Sequence, residues 1–198
     1  MNSEGSIAAR TVRVWDPLVR LGHWLLALSV LFAWLMRHRP GPWHEWLGYT
    51  SLVIVAVRLV WGWRGSQHAR FAEFVRGPRT TLAYARALLG GHEPRTLGHN
   101  PLGAWMILAL LVTVTLVGAS GWLYTTDRFW GVDWVEQLHG WLTNALWVLV
   151  GVHVAGVLYT SLHHRENLVA AMLHGHKPAA GSPPGLVPKR TNKNSHSL

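Results

Sequence analysis

Cysteine is absent from this 198-residue chain, and charged residues make up only 14% of it. The first absence excludes disulfides, thiolate zinc sites, iron–sulfur clusters and haem attached through C-x-x-C-H, so any metal centre must use other ligands. The second is about half the usual share of roughly 25%. Yet 18 Lys+Arg against 9 Asp+Glu leave a formal charge of +9. Sparse charges with a strong excess of one sign must be gathered between apolar stretches. That arrangement gives no case for nucleic acid as a partner, although basic chains often bind it.

What fills the space between the charges is hydrophobic. A membrane helix needs about 20 mostly apolar residues to cross roughly 30 Å of hydrocarbon, and four runs qualify: 18–36, 43–63, 101–124 and 138–162. Each is apolar on all faces, as a lipid-embedded helix should be. Asp16-Pro17 and Asn100-Pro101 place an N-cap residue before a proline at the first helical position, and Pro42 precedes the second run. Trp15, Trp43, Trp63, Trp122, Trp134 and Trp141 lie near run ends, which reads as an interfacial aromatic belt. The expected fold is therefore an all-α membrane protein, a four-transmembrane-helix bundle occupying residues 1–177. Residues 178–198 have no apolar period and read as a disordered cytoplasmic tail.

The basic residues orient this bundle. The 64–100 loop carries six Lys/Arg and the 125–137 loop one, which places the former loop and both termini in the cytoplasm. The first residues show no basic n-region or small-residue cleavage site, so the first span is expected to persist. Pro78 to Leu89 reads as a short helix on the membrane surface, held there by Leu82, Tyr84, Leu88 and Leu89. No internal repeat emerges, because Ile107 stands where the third run would match His23 of the first.

Ionisable groups inside spans are costly and point to function. Four histidines qualify: His23, His44, His139 and His153. The other nine (38, 68, 92, 99, 163, 164, 174, 176 and 196) fall in loops or tail and are expected to face solvent or headgroups. His139 and His153 lie fourteen residues apart on one helix, which at 1.5 Å per residue is about 21 Å, within about 40° of the same face. The topology sets His44 at the depth of His139, near the outer surface, and His23 at the depth of His153. Two bis-histidine sites in a four-helix bundle, without Cys or intramembrane carboxylates, suit haem iron with neutral imidazoles at both axial positions. Gly22, Gly48, Gly140, Gly151 and Gly156 would let a flat ring approach the backbone, and close helix packing is their alternative role. Arg58, on nearly the same face as His44 and near the cytoplasmic end of its run, is a candidate partner for a propionate of the inner haem, with snorkelling to headgroups as the alternative.

Several segments then resemble a known family, the bacterial cytochrome b561 and nickel–iron hydrogenase b-type subunit group. They are VWDPLVRLGHW around His23, HEWLGYTSLVIVAVRLVWG from His44 through Arg58, GHNPLGAW before the third span, and HGWLTNALWVLVGVHVAGVLYTSLHHRENLVAAMLHGHKP through the fourth. The resemblance implies a di-haem b cytochrome of the inner membrane that passes electrons between the quinone pool and a redox partner, such as a periplasmic c-type cytochrome or a hydrogenase-like enzyme. It also implies two haem b with His23, His44, His139 and His153 as axial ligands. A related activity of the family is superoxide oxidation with quinone as acceptor. If quinone binds, Arg20, His38, Glu45 and His163 are loop-edge candidates for handling its protons. Electron transfer needs no catalytic acid, base or nucleophile. A metal or proton transporter along the same histidines would be expected to add intramembrane Asp or Glu, and a purely structural anchor would leave two depth-matched pairs unexplained.

Overall fold

The computed structural model describes residues 11–13, 15–92 and 100–178. Four long helices dominate: α1 (Pro17–Met36), α2 (Trp43–Arg64), α5 (Pro101–Tyr124) and α6 (Asp133–His163), with α3 (Phe71–Phe74) and α4 (Pro78–Leu89) between the second and third of them. A last short helix, α7 (Leu168–His174), leads into β2 (His176–Pro178), which pairs antiparallel with β1 (Thr11–Arg13). The four long helices are the four expected spans, each long and apolar enough to cross a membrane. Leu, Val and Trp side chains along them are largely exposed, an arrangement water would oppose and lipid favours.

Local chemistry accounts for the helix ends. The Asp16 carboxylate accepts the Val19 N–H at 2.9 Å and the Asn100 side-chain oxygen accepts the Gly103 N–H, each just before a proline that starts its helix. α6 begins five residues earlier than its apolar run. Asp133 and Glu136 occupy its first turn, where the positive end of the helix dipole favours carboxylates outside the hydrocarbon. The surface helix has the expected bounds, but Tyr84 faces the protein rather than lipid, being only 7% exposed. The Trp105 indole N–H fixes that orientation by donating to the Arg76 carbonyl and the Thr81 hydroxyl, which draws α4 onto α5.

Trp15 is a second correction. It is 8% exposed and belongs to no interfacial belt, whereas Trp43, Trp63, Trp122, Trp134 and Trp141 are all more than half exposed. Pairing of β1 with β2 folds the two flanks of the bundle together, and the Trp15 N–H donates to the Gly175 carbonyl. Gly175, at φ +87°, provides the left-handed turn after α7 that brings β2 back. The expected disordered tail lies outside the described residues except for Pro178, which pairs with Thr11.

Packing runs in sequence from α1 to α2, α2 to α5 and α5 to α6. Val55, Leu111, Val114 and Leu146 form its centre. Asp16 locks one end: besides capping α1 it accepts from the Trp61 indole at 3.0 Å and from the Ser66 hydroxyl, tying the start of α1 to the end of α2. Burial alone would raise the Asp16 pKa, but the hydrogen bonds from Ser66, Val19, Trp61 and Leu18 together hold it below its ordinary 3.8. A carboxyl with a lowered folded-state pKa contributes stability that is complete above its unfolded value and lost as pH falls through the folded one. The melting temperature in detergent should therefore drop below about pH 4, and less steeply in Asp16→Asn, which can still cap the helix; equal slopes would contradict the lock.

Candidate functional site

The α6 side of the bundle is built differently from the rest. α6 packs its backbone on α5, while among the described residues it makes no comparable close approach to α1 or α2. Rings meet across that interval instead. His44 on α2 faces His139 on α6 with ring centres 6.0 Å apart, and His23 on α1 faces His153 on α6 at 6.5 Å. The depth matching expected from topology is realised in both pairs. The rings of Trp34 on α1 and Trp147 on α6 also meet, edge to face at 5.4 Å.

The spacing of each pair is chemically specific. An imidazole nitrogen binds a first-row metal at about 2.0–2.1 Å, so two imidazoles on opposite sides of one ion keep their ring centres roughly 6–6.5 Å apart. Among the described residues no group of three or more His, Asp or Glu converges on one point. A pair of opposed imidazoles alone is the donor set of an ion that arrives with its other ligands already attached, as iron does in haem.

Hydrogen bonds on the far side of the rings complete the His44–His139 pair. His44 Nδ1–H donates to the Ala33 carbonyl at 2.8 Å. His139 Nδ1–H points at the Val117 carbonyl and the Ser120 hydroxyl, both at 3.1 Å, while the Ser120 O–H donates to that same carbonyl. These bonds orient the rings and leave both Nε2 atoms with free lone pairs. Sequence reading missed all of these acceptors. Two are backbone carbonyls, which carry no side-chain signal, and Ser120 is nineteen residues from its histidine.

The glycines divide into two sets. A Cβ on Gly48, Gly140, Gly151 or Gly156 would meet nothing within 4 Å, and one on Gly22 only Ile54 at 3.9 Å. None of these five therefore serves a tight helix crossing. Gly48 lies one turn from His44 and Gly156 nearly one turn from His153, with the open space a ring beside those ligands would need. The tight crossings are elsewhere: Gly118 against Leu52, Gly62 against Phe71, and Gly121 against the His139 ring.

Arg58 has acquired protein partners. It donates to the Ala69 carbonyl at 3.1 Å and its guanidinium stacks 4.8 Å from the Phe71 ring, yet one terminal nitrogen is buried with no partner. The four candidates for quinone chemistry are not brought together. Arg20 sits in the first turns of α1 and donates to the Leu173 carbonyl, while His38 follows the far end of that helix. Glu45 is exposed at the start of α2, and exposed His163 stacks on Tyr159 at the end of α6. Of the other loop histidines, His38, His92, His174 and His176 are exposed and His164 is half-buried; His99 and His196 lie outside the described residues.

A bundle of four lipid-exposed helices carrying opposed histidine pairs at two depths defines the class as a membrane protein of the haem-binding type. A family model described as "Prokaryotic cytochrome b561" matches residues 14–175, and the chain belongs to that family. It is thus a b-type cytochrome, a class that implies haem b and electron transfer in a membrane. Curated relatives include a "Probable Ni/Fe-hydrogenase B-type cytochrome subunit" of Bradyrhizobium diazoefficiens, 22% identical over 89% of this chain and 90% of the relative. Proteins of the same description from Azotobacter vinelandii and Rhizobium leguminosarum bv. viciae are 24% and 21% identical, over 83% and 89% of this chain and 87% and 92% of their own lengths. No solved structure matches it significantly.

Proposed function

We propose that the protein is a di-haem b cytochrome carrying electrons across the bacterial inner membrane between the quinone pool and a redox partner. The observation that carries this reading is the pair of histidine pairs, at 6.0 and 6.5 Å and at two depths of one helix bundle. His44 and His139 would hold the outer haem and His23 and His153 the inner one. When bound, haem supplies a one-electron ferrous–ferric couple at each level. The chain's own residues do the rest. Nδ1–H donation by His44 and His139 fixes the tautomer that ligates through Nε2. α6 holds its two histidines about 21 Å apart along one face, and the Trp34–Trp147 contact sets two indole rings against each other across the same pair of helices.

The six Lys/Arg of the 64–100 loop support an orientation with that loop and both termini in the cytoplasm. Relatives named as hydrogenase subunits support a hydrogenase-like enzyme, with a c-type cytochrome as the other candidate, for the partner. Reduced-minus-oxidised spectra with pyridine haemochrome quantitation test the reading. About two b haems per chain are expected from two bis-histidine sites, and a purified, folded protein without haem would sink it.

A further inference from the structure

Among the described residues, three buried side-chain atoms lack a hydrogen-bond partner: Arg20 Nε, Trp24 Nε1 and an Arg58 terminal nitrogen. All three are donors. All three also belong to the level of the inner histidine pair. Arg20 and Trp24 flank His23 on α1, and the Trp24 ring meets the His23 ring edge to face at 5.1 Å. Arg58 is placed by two cross-contacts: the Asp16–Trp61 hydrogen bond and the approach of Gly22 to Ile54 at 3.9 Å. That antiparallel register sets Arg58 beside Val19, and both line one apolar groove between α1 and α2. Arg58 and Arg20 are thus each about one turn from His23 on the side of the arginine-rich loop, roughly 5–6 Å along the axis.

An unpartnered buried donor is expensive, and more so when charged. The Asp16 carboxylate is near enough to act on Arg58, but its oxygens are bonded to Val19, Trp61 and Ser66, so three open donors at one level, two of them guanidinium, call for a further anionic acceptor. The outer pair has no counterpart, since its polar neighbours are paired with carbonyls and Ser120. We infer that Arg20, Trp24 and Arg58 form a carboxylate cradle that would hold the propionates of the inner haem and set this centre apart from the outer one. The inference rests on the di-haem reading and adds the residues that orient one of the two haems.

Two positive charges near the iron favour the reduced form, because they oppose the extra positive charge of the ferric state. Potentiometric titration of the haem-loaded protein reads this effect at each centre separately. Arg58→Gln should shift the inner couple about tenfold toward the oxidised form, which for one electron is about 59 mV lower. Arg58→Lys should restore most of the shift, and Arg64→Gln, in the exposed last turn of α2, should cause none. Reconstitution with haem dimethyl ester separates the propionates from a lipid phosphate or quinone carbonyl as acceptor, because the loss of inner-haem affinity in Arg58→Gln should shrink when the carboxylates are capped. Should Arg58→Gln bind the inner haem poorly, Arg20→Gln and Trp24→Phe provide the same comparison of potentials. Equal shifts at both centres, no shift at either, or an undiminished loss of inner-haem affinity with the capped haem would overturn the cradle while leaving the two-haem count standing. A wild-type protein without haem would remove both.

Discussion

Replacing His153 with alanine should halve the haem content of the purified protein, from about two b haems per chain to about one, with the remaining centre spectrally that of the outer site. The expectation follows from geometry. His153 has one ring opposite, that of His23, and no other His, Asp or Glu among the described residues is positioned to replace it. His23→Ala should remove the same centre, and His23→Ala with His153→Ala should lose no more than either alone. His44→Ala and His139→Ala should mirror this at the outer site. Pyridine haemochrome assay and redox difference spectra of the five variants decide it. If His23→Ala and His153→Ala deplete different centres, the pairing across α6 is wrong.

Gly118→Val should damage the packing of α2 on α5. A Cβ there would lie 2.6 Å from both Cγ and Cδ2 of Leu52, so the branch point of that leucine is in the way and rotating its end does not relieve the clash. α2 must then move from α5, and overpacking of this kind costs typically 1–3 kcal/mol. The movement also reaches the site: α2 carries His44, while α5 is packed on α6, which carries His139. Unfolding in mixed micelles should show the loss of stability, and the outer haem should be depleted before the inner. Adding Leu52→Ala should rescue the less bulky Gly118→Ala. A Gly118→Val protein with wild-type stability would show that the α2–α5 contact has slack.

The spans were legible because lipid imposes a coarse rule: about 20 apolar residues with every backbone group bonded within the helix. Hence α1, α2 and α5 match their runs to within a residue at each end. α6 does not, since a helix does not stop at the hydrocarbon edge when Asp133 and Glu136 favour its first turn. Trp15 and Tyr84 were misread for a related reason. Composition near a span end reports amphipathic character, but which surface an aromatic ring meets depends on what folds over it. β2 and Gly175 arrive at Trp15 from 160 residues away in the chain, and Trp105 draws α4 onto α5. The glycines near the ligands could be read two ways in the sequence, and the open space beside them removes tight packing as their role.

Sequence alone determined the candidate membrane spans, the four histidines within them and, through helical rise and the order of the spans, which of those histidines stand at the same level. It did so because those properties depend on one helix at a time or on the order of spans. Tertiary structure decided which rings face each other across α6, which backbone carbonyls hold His44 and His139, and that Arg20, Trp24 and Arg58 share one level with unpartnered donors. Those features depend on the rotation and register of helices against one another. Rotation and register are settled by contacts such as Asp16–Trp61 and Gly118–Leu52, between residues far apart in the chain.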